Sequence, residues 1–327
     1  MRWTVLYWGE NLECMMIALQ IGLFGKFEIS CSGKPVTGLE GRKVQELLAF
    51  LLLQRPRAFS REYLAELLWG QRAPAQSKKY LRQTLWQVHS SLAAFGVEAD
   101  RSAPLQVDDQ WVCFNQQCPL WLDVAAFEAA YGAAQGIAGR DLDDDRAAAL
   151  RQAVGLYSGD LLEGCYADWC LFERERLQNM YLAMLDKLID CCQEHGQHET
   201  GLGYGTLILR YDRARERTHR RMMRLYYLAG DRTSALRQYD QLERVLWEEL
   251  AVKPSRRSIA LRDQIRADSL DPRPPNGGAL TGSDLVQHGA AAADHRSQLR
   301  HLYHCLNQMQ RDIKRELEAI ELALAES

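Results

Sequence analysis

Lys79, Arg82, Gln83, Trp86, Gln87 and Ser90 lie close together in the stretch SKKYLRQTLWQVHSSL. On a helix turning roughly 100° per residue they share one face, while Leu81, Leu85, Val88, Leu92 and Phe95 form an apolar stripe on the other. The outer set has the chemistry of a nucleic-acid groove. Lys and Arg neutralise phosphates, Arg and Gln hydrogen-bond base edges, and an exposed Trp supplies apolar contact. An ordinary amphipathic helix with its Trp tucked against a loop carries the same pattern, so the surrounding elements have to decide.

Other constellations are weaker. In CCQEHGQH, Cys191 and His195 stand four apart on one helix face with Cys192 and His198 nearby, a set that zinc would accept. The stretch spans a helix end and a turn at Gly196, where the helix dipole favours His and one Cys packs inward, so no metal is expected. DLDDDR, Asp141 to Arg146, lacks the Gly and terminal Glu of a calcium loop and reads as an acidic helix start. No phosphate-cradling G-x-x-x-x-G-K-[ST], no G-x-S-x-G elbow and no H-E-x-x-H helix occurs. Neither enzymatic activity nor a cofactor is expected. Nine irregularly spaced Cys point to a reducing cytoplasm, and no apolar run reaches membrane-spanning length.

The elements that would position the opening helix can be read on either side of it. A chain of 327 residues, 47% hydrophobic, suits two or three domains. Its net charge of −3 hides an asymmetry, because residues 17–120 carry +3 and Arg42 to Arg82 hold nine basic against three acidic side chains. IALQIGLFGKFEIS alternates apolar and polar residues and CSGKPV supplies a Gly turn, which predicts antiparallel strands. Arg42 to Gln54 has helical periodicity, and Ser60 is the expected N-cap of a second helix ending near Trp69 and Gly70. The opening stretch is the third helix, and LQVDDQWVCF reads as strand, Asp108-Asp109 turn and strand. Three helices and a hairpin make a winged helix-turn-helix, whose last helix enters the major groove while the hairpin touches adjacent backbone. On this reading Lys78, Lys79 and Arg82 neutralise phosphates, and Gln83, Trp86 and Gln87 meet base edges or thymine methyls. Arg42, Lys43 and Arg61 anchor the flanking backbone. The acidic turn fits poorly, since carboxylates at a wing tip repel phosphate unless held away from it.

The segments LFGKFEIS, GRKVQELLAFLLLQRPRAFSREYLAELLW and SKKYLRQTLWQVHSSL resemble the DNA-binding domain of the Streptomyces antibiotic regulatory protein (SARP) family, an OmpR-type winged helix. That family usually carries two arginines where this chain has His89 and Ser90, which removes two phosphate contacts. From Asp123 a nearly continuous helical pattern runs to about Asp268. Within it HGQHETGL and AGDRTSAL place Gly196 and Gly230 34 residues apart, the tetratricopeptide period. LYSGDLLEGCYADWCLFERERL and AGDRTSALRQYDQLERVLWEELAVKPS are similar to the bacterial transcriptional activator domain, which follows the winged helix in the same family. Trp169, Tyr226 and Tyr227 are expected in the helical core, and RARERTHRR reads as a solvated helix surface or a basic docking face.

The expected fold is mainly α: an N-terminal winged helix-turn-helix with small β elements (17–120), a tetratricopeptide-like helical repeat domain (121–270) and a C-terminal helix. Residues 1–16 read as an N-terminal extension and 271–295 as a flexible linker. Within 296–327, Leu299, Leu302, Leu306, Met309, Ile313 and Ile320 form a seam suited to a short coiled coil, in a homodimer or with a partner helix, or to a helix docking back on the body. The resemblance implies a cytoplasmic transcription regulator, an activator that binds double-stranded promoter DNA and contacts RNA polymerase, a sigma factor or a second subunit. In a rival reading the protein is an interaction scaffold whose winged helix binds no DNA. His89 and Ser90, the acidic turn and the net −5 of residues 121–327 support it. Steep salt dependence of duplex binding separates the two.

Overall fold

The structure, a computed structural model, describes residues 19–93 and 104–270. The expected extension, Phe95, the linker and the seam Leu299, Leu302, Leu306, Met309, Ile313 and Ile320 lie outside the described residues.

Leu19–Gly22 (β1) and Glu28–Cys31 (β2) pair antiparallel, with Lys34–Pro35 (β3) alongside β2. The turn at Ser32 and Gly33 has φ of 48° and 78°, the primed geometry that matches strand twist. Arg42–Leu53 (α1) follows, then Phe59–Ser60 (β4), Arg61–Trp69 (α2) and Pro74–Ala93 (α3). Ser60 caps α2 as expected, its hydroxyl accepting from the Tyr63 N–H at 3.1 Å. Leu105–Val107 (β5) and Trp111–Phe114 (β6) form the hairpin, and β4 adds to it in the order β4-β6-β5.

Leu120–Leu122 (β7) lies parallel to β1, and the first sheet runs β3-β2-β1-β7. A three-residue strand carries little periodic signal, and a parallel partner a hundred residues away carries none. The expected domain boundary at residue 120 falls within this strand. Directly after it, Asp123 opens Asp123–Ala133 (α4). Its buried carboxylate accepts from the backbone N–H groups of Leu23 (2.7 Å), Phe24 (2.9 Å) and Val124 (2.6 Å). Nearby, the backbone of Asp160 to Glu163 hydrogen-bonds with that of Leu23 and Gly25. One apolar core therefore runs from Leu19 and Ile21 through Leu48 and Phe127 to Leu185 and Leu225. A smaller core of Leu47, Phe50, Leu64, Leu68, Leu81, Leu85 and Val112 fills the winged helix.

The rest is helical. A 3-10 turn at Gly139–Asp141 precedes Asp144–Leu156 (α5), which Asp143 caps by accepting from the Arg146 N–H. Asp168–Glu194 (α6) pairs with His198–Tyr211 (α7), and Glu216–Leu228 (α8) with Arg232–Leu250 (α9), before Arg256–Arg266 (α10). The two helix pairs realise the 34-residue echo, with Gly196 and Gly230 at positive φ in the matching turns. On α7, Gly201 and Gly205 let α8 approach, since a Cβ there would come within 2.9 Å of Leu225 and 2.7 Å of Met222. Trp169, Tyr226 and Tyr227 are half-buried, short of the core position expected of them. Trp169 packs edge-on against Phe50 at 5.4 Å, so it joins α6 to the winged helix.

Candidate nucleic-acid interface

α3 is positioned by its buried stripe. Leu81, Leu85, Val88 and Leu92 are buried, and the Ser77 hydroxyl donates to the Trp69 carbonyl at 2.9 Å, fixing the α2–α3 corner. What this leaves outward is Lys79, Arg82, Gln83 and Trp86, all exposed. Trp86 is 70% exposed, which rules out its tucking against a described loop. Among the described residues none of these four side chains forms a hydrogen bond or ion pair.

The other expected contacts have partners within the fold. Gln87 is half-buried and its amide donates to the Gly38 carbonyl at 2.7 Å, so it braces α3 against the loop before α1. Lys78 pairs with Glu62 at 2.6 Å, and that pairing holds the Glu62 carboxyl below its usual range. Arg42 and Lys43 both bind Glu46, at 2.9 and 2.6 Å, and Glu46 is only 3% exposed. These charges sit near the helical region. Buried Cys165 of that region feels both Arg42 and Glu46. Arg61 donates to the Asp108 carbonyl at 3.0 Å and its N–H to the Gln110 carbonyl, which tethers α2 to the hairpin turn. Arg42 and Lys43 thus pair within α1, while Arg61 and Gln87 tie α2 and α3 to other elements, a role that only distant partners reveal.

Of the acidic turn, Asp109 stays exposed while Asp108 is bonded into its own loop. Asp108 accepts from the N–H groups of Gln110 (2.8 Å) and Trp111 (2.6 Å). Those bonds hold its carboxyl below the usual range and turn it into its own loop. A shallow cavity of about 510 Å³ beside it is lined by Ala58, Gln106, Val107, Asp108, Trp111 and Cys113 on the outer hairpin face. Exposed Trp111 and Val107 therefore flank the turn, a pair that sequence reading assigned to the strands alone. His89 is exposed at the far end of α3, one turn beyond Trp86.

Elsewhere the candidate metal stretch has other partners. The His195 ring nitrogen Nδ1 lies 2.8 Å from the Cys191 carbonyl, and among the described residues no group of three or more His, Cys, Asp or Glu could hold a metal ion. No helix among the described residues is long and apolar enough to cross a membrane.

A three-helix unit with a winged hairpin, joined through one core to paired helices, is similar to the architecture expected of SARP-type regulators. Comparison with known proteins shows what the chain is similar to. Residues 122–266 match the bacterial transcriptional activator domain. The regulatory protein AfsR of Streptomyces coelicolor is 28% identical over 238 residues, covering 72% of this chain and 23% of AfsR. The regulatory protein DnrI of Streptomyces peucetius is 26% identical over 256 residues, covering 76% of this chain and 93% of DnrI. The chain thus spans about a quarter of the first relative and nearly all of the second. EmbR of Mycobacterium tuberculosis, solved in complex with a low-affinity phosphopeptide, shares the fold with a TM-score of 0.60 at 18% identity, over 84% of this chain and 70% of that one.

Proposed function

We propose that this regulator binds double-stranded promoter DNA by laying α3 in the major groove, and that it activates transcription through a partner held by its helical region. The observation that carries this reading is the outward face of α3, where Lys79, Arg82, Gln83 and Trp86 remain exposed and unbonded among the described residues. An ordinary surface helix has little reason to expose an indole so far (70%) one turn from an unpaired arginine. Lys79 and Arg82 meet phosphates, and Gln83 and Trp86 meet base edges and thymine methyls. Lys78 joins them by exchanging its Glu62 partner for phosphate. The turn, with Asp108 bonded into its own loop, brings exposed Trp111 and Val107 toward the flanking backbone. Arg61 and Gln87 support this interface by holding the hairpin turn and α3 in place, and Arg42 and Lys43 anchor the flanking backbone. The partner is RNA polymerase, a sigma factor or a second subunit, and the setting is the cytoplasm.

The test is capture of fragmented host DNA by the purified protein beside an Arg82→Ala/Trp86→Ala variant. A shared motif in the recovered promoters, lost in the variant, is the expected outcome. Folded protein that enriches nothing over bulk DNA at low and moderate salt would sink the proposal and favour the scaffold reading.

A further inference from the structure

Residues 213–224 hold six arginines and one glutamate, in a part of the chain (121–327) whose net charge is −5. The fold uses some of them. Arg213 pairs with Glu249, Arg215 with Asp186, Arg221 with Asp186 and Asp190, and Arg220 with Glu216. Arg217 and Arg224 of α8 and Arg257 of α10 form no hydrogen bond or ion pair among the described residues. Arg224 is half-buried, and burial, followed by the neighbouring Arg220 charge, lowers its guanidinium pKa. Arg257 and Arg217 bear on Arg220 in the same sense. A recessed cation beside like charges costs stability unless an anion joins it.

The geometry of these charges is ordered. Arg217, Arg220 and Arg224 step by three and four along α8, a stripe about 10 Å long. Arg220 donates to the Ser258 hydroxyl at 3.2 Å, which places the stripe against the start of α10 where Arg257 extends it. We propose that this stripe is the docking surface for an acidic helix of a partner protein. Carboxylates at three- and four-residue steps on one helix match guanidinium forks at the same steps on another, and each fork accepts a carboxylate in two bonds. This surface deepens the partner half of the function proposed above and rests on that half; the reading of α3 stands apart from it.

The probe is a labelled helical peptide with Glu at positions i, i+3 and i+7, titrated by anisotropy against the full chain and against Arg224→Met/Arg257→Met. Saturable binding is expected, weakened about tenfold in the double variant and in a Gln version of the peptide, with promoter capture unchanged. Equal binding to both proteins, or none to the wild type, overturns the surface. Loss of promoter capture in the double variant reassigns the stripe to nucleic acid and overturns it too. Peptide binding by a wild-type chain that captures no promoter would sink the DNA reading and leave this surface standing. Arg224→Met alone should melt no lower than the wild type, because it removes an unpaired recessed charge. A lower melting point would show Arg224 to be structural and count against the proposal.

Discussion

On the function proposed, Lys79 and Trp86 on one helix face divide the work of binding DNA between them. A phosphate contact contributes affinity that salt erodes, and a base contact contributes preference that salt leaves alone. Lys79→Ala and Arg82→Ala should each weaken duplex binding for all sequences and lower the slope of log affinity against log salt by about one. Gln83→Ala and Trp86→Ala should relax preference at single base positions by roughly 1–3 kcal/mol, read by competition between operator and mutated operator. A Trp86→Ala protein with unaltered preference would remove the indole from base recognition. Most of this face was legible in the sequence, because a helical period of 3.6 assigns each side chain its direction. Gln87 was not. It lies at the edge of the outer arc, and only the nearby Gly38 carbonyl turns its amide inward.

Among the elements, the helical pairs are held by close approach and by buried polar links. Gly139 sits so near α6 that a Cβ would lie 2.4 Å from the Lys187 carbonyl oxygen. Gly139→Ala should therefore cost about 1–3 kcal/mol, seen as a lower denaturation midpoint with an unchanged slope. An unchanged midpoint would mean that the turn yields freely. Between α8 and α9, buried His219 accepts from the Gln238 amide at 2.7 Å and, 2.9 Å from the Arg213 carbonyl, donates through Nε2. Burial lowers its pKa, so the neutral ring is the folded form. The unfolded chain takes up the proton first as pH falls, so stability is full above the ordinary histidine pKa of about 6.5 and declines below it. Thermal unfolding at pH 7.5 and 5.5 should show this decline, and a His219→Gln protein should show less of it. Equal slopes would place the pH sensitivity elsewhere. Glu216, held low despite its burial by bonds from Ser255 and Ser258 and by the Arg220 charge, loses its contribution only in more acidic solution.

For the whole molecule, the informative feature is that the winged helix and the helical region up to residue 267 share one core and one compact unit. They should unfold in a single calorimetric transition, and two resolved transitions would contradict the continuous core. Asp123 is the tightest link, satisfying three backbone N–H groups at the meeting of β1 and α4. Asp123→Ala leaves those donors buried and unpaired and should cost at least about 2 kcal/mol, lowering the one transition. Trp169 on Phe50 adds a second contact between the helical region and the winged helix.

Local patterns in the sequence determined the strand turn at Ser32-Gly33, the Ser60 cap, the three helices with their wing, and the 34-residue echo. Each rests on residues within a turn or two of one another, where period and propensity act directly. Only the tertiary structure decided that β7 closes the first sheet and that Asp123 bonds residues a hundred positions away. It also decided which arginines in RARERTHRR are paired and that Arg61 holds the wing. Those outcomes depend on which surfaces meet once chain entropy has been overcome, and a linear pattern does not encode the identity of a distant partner.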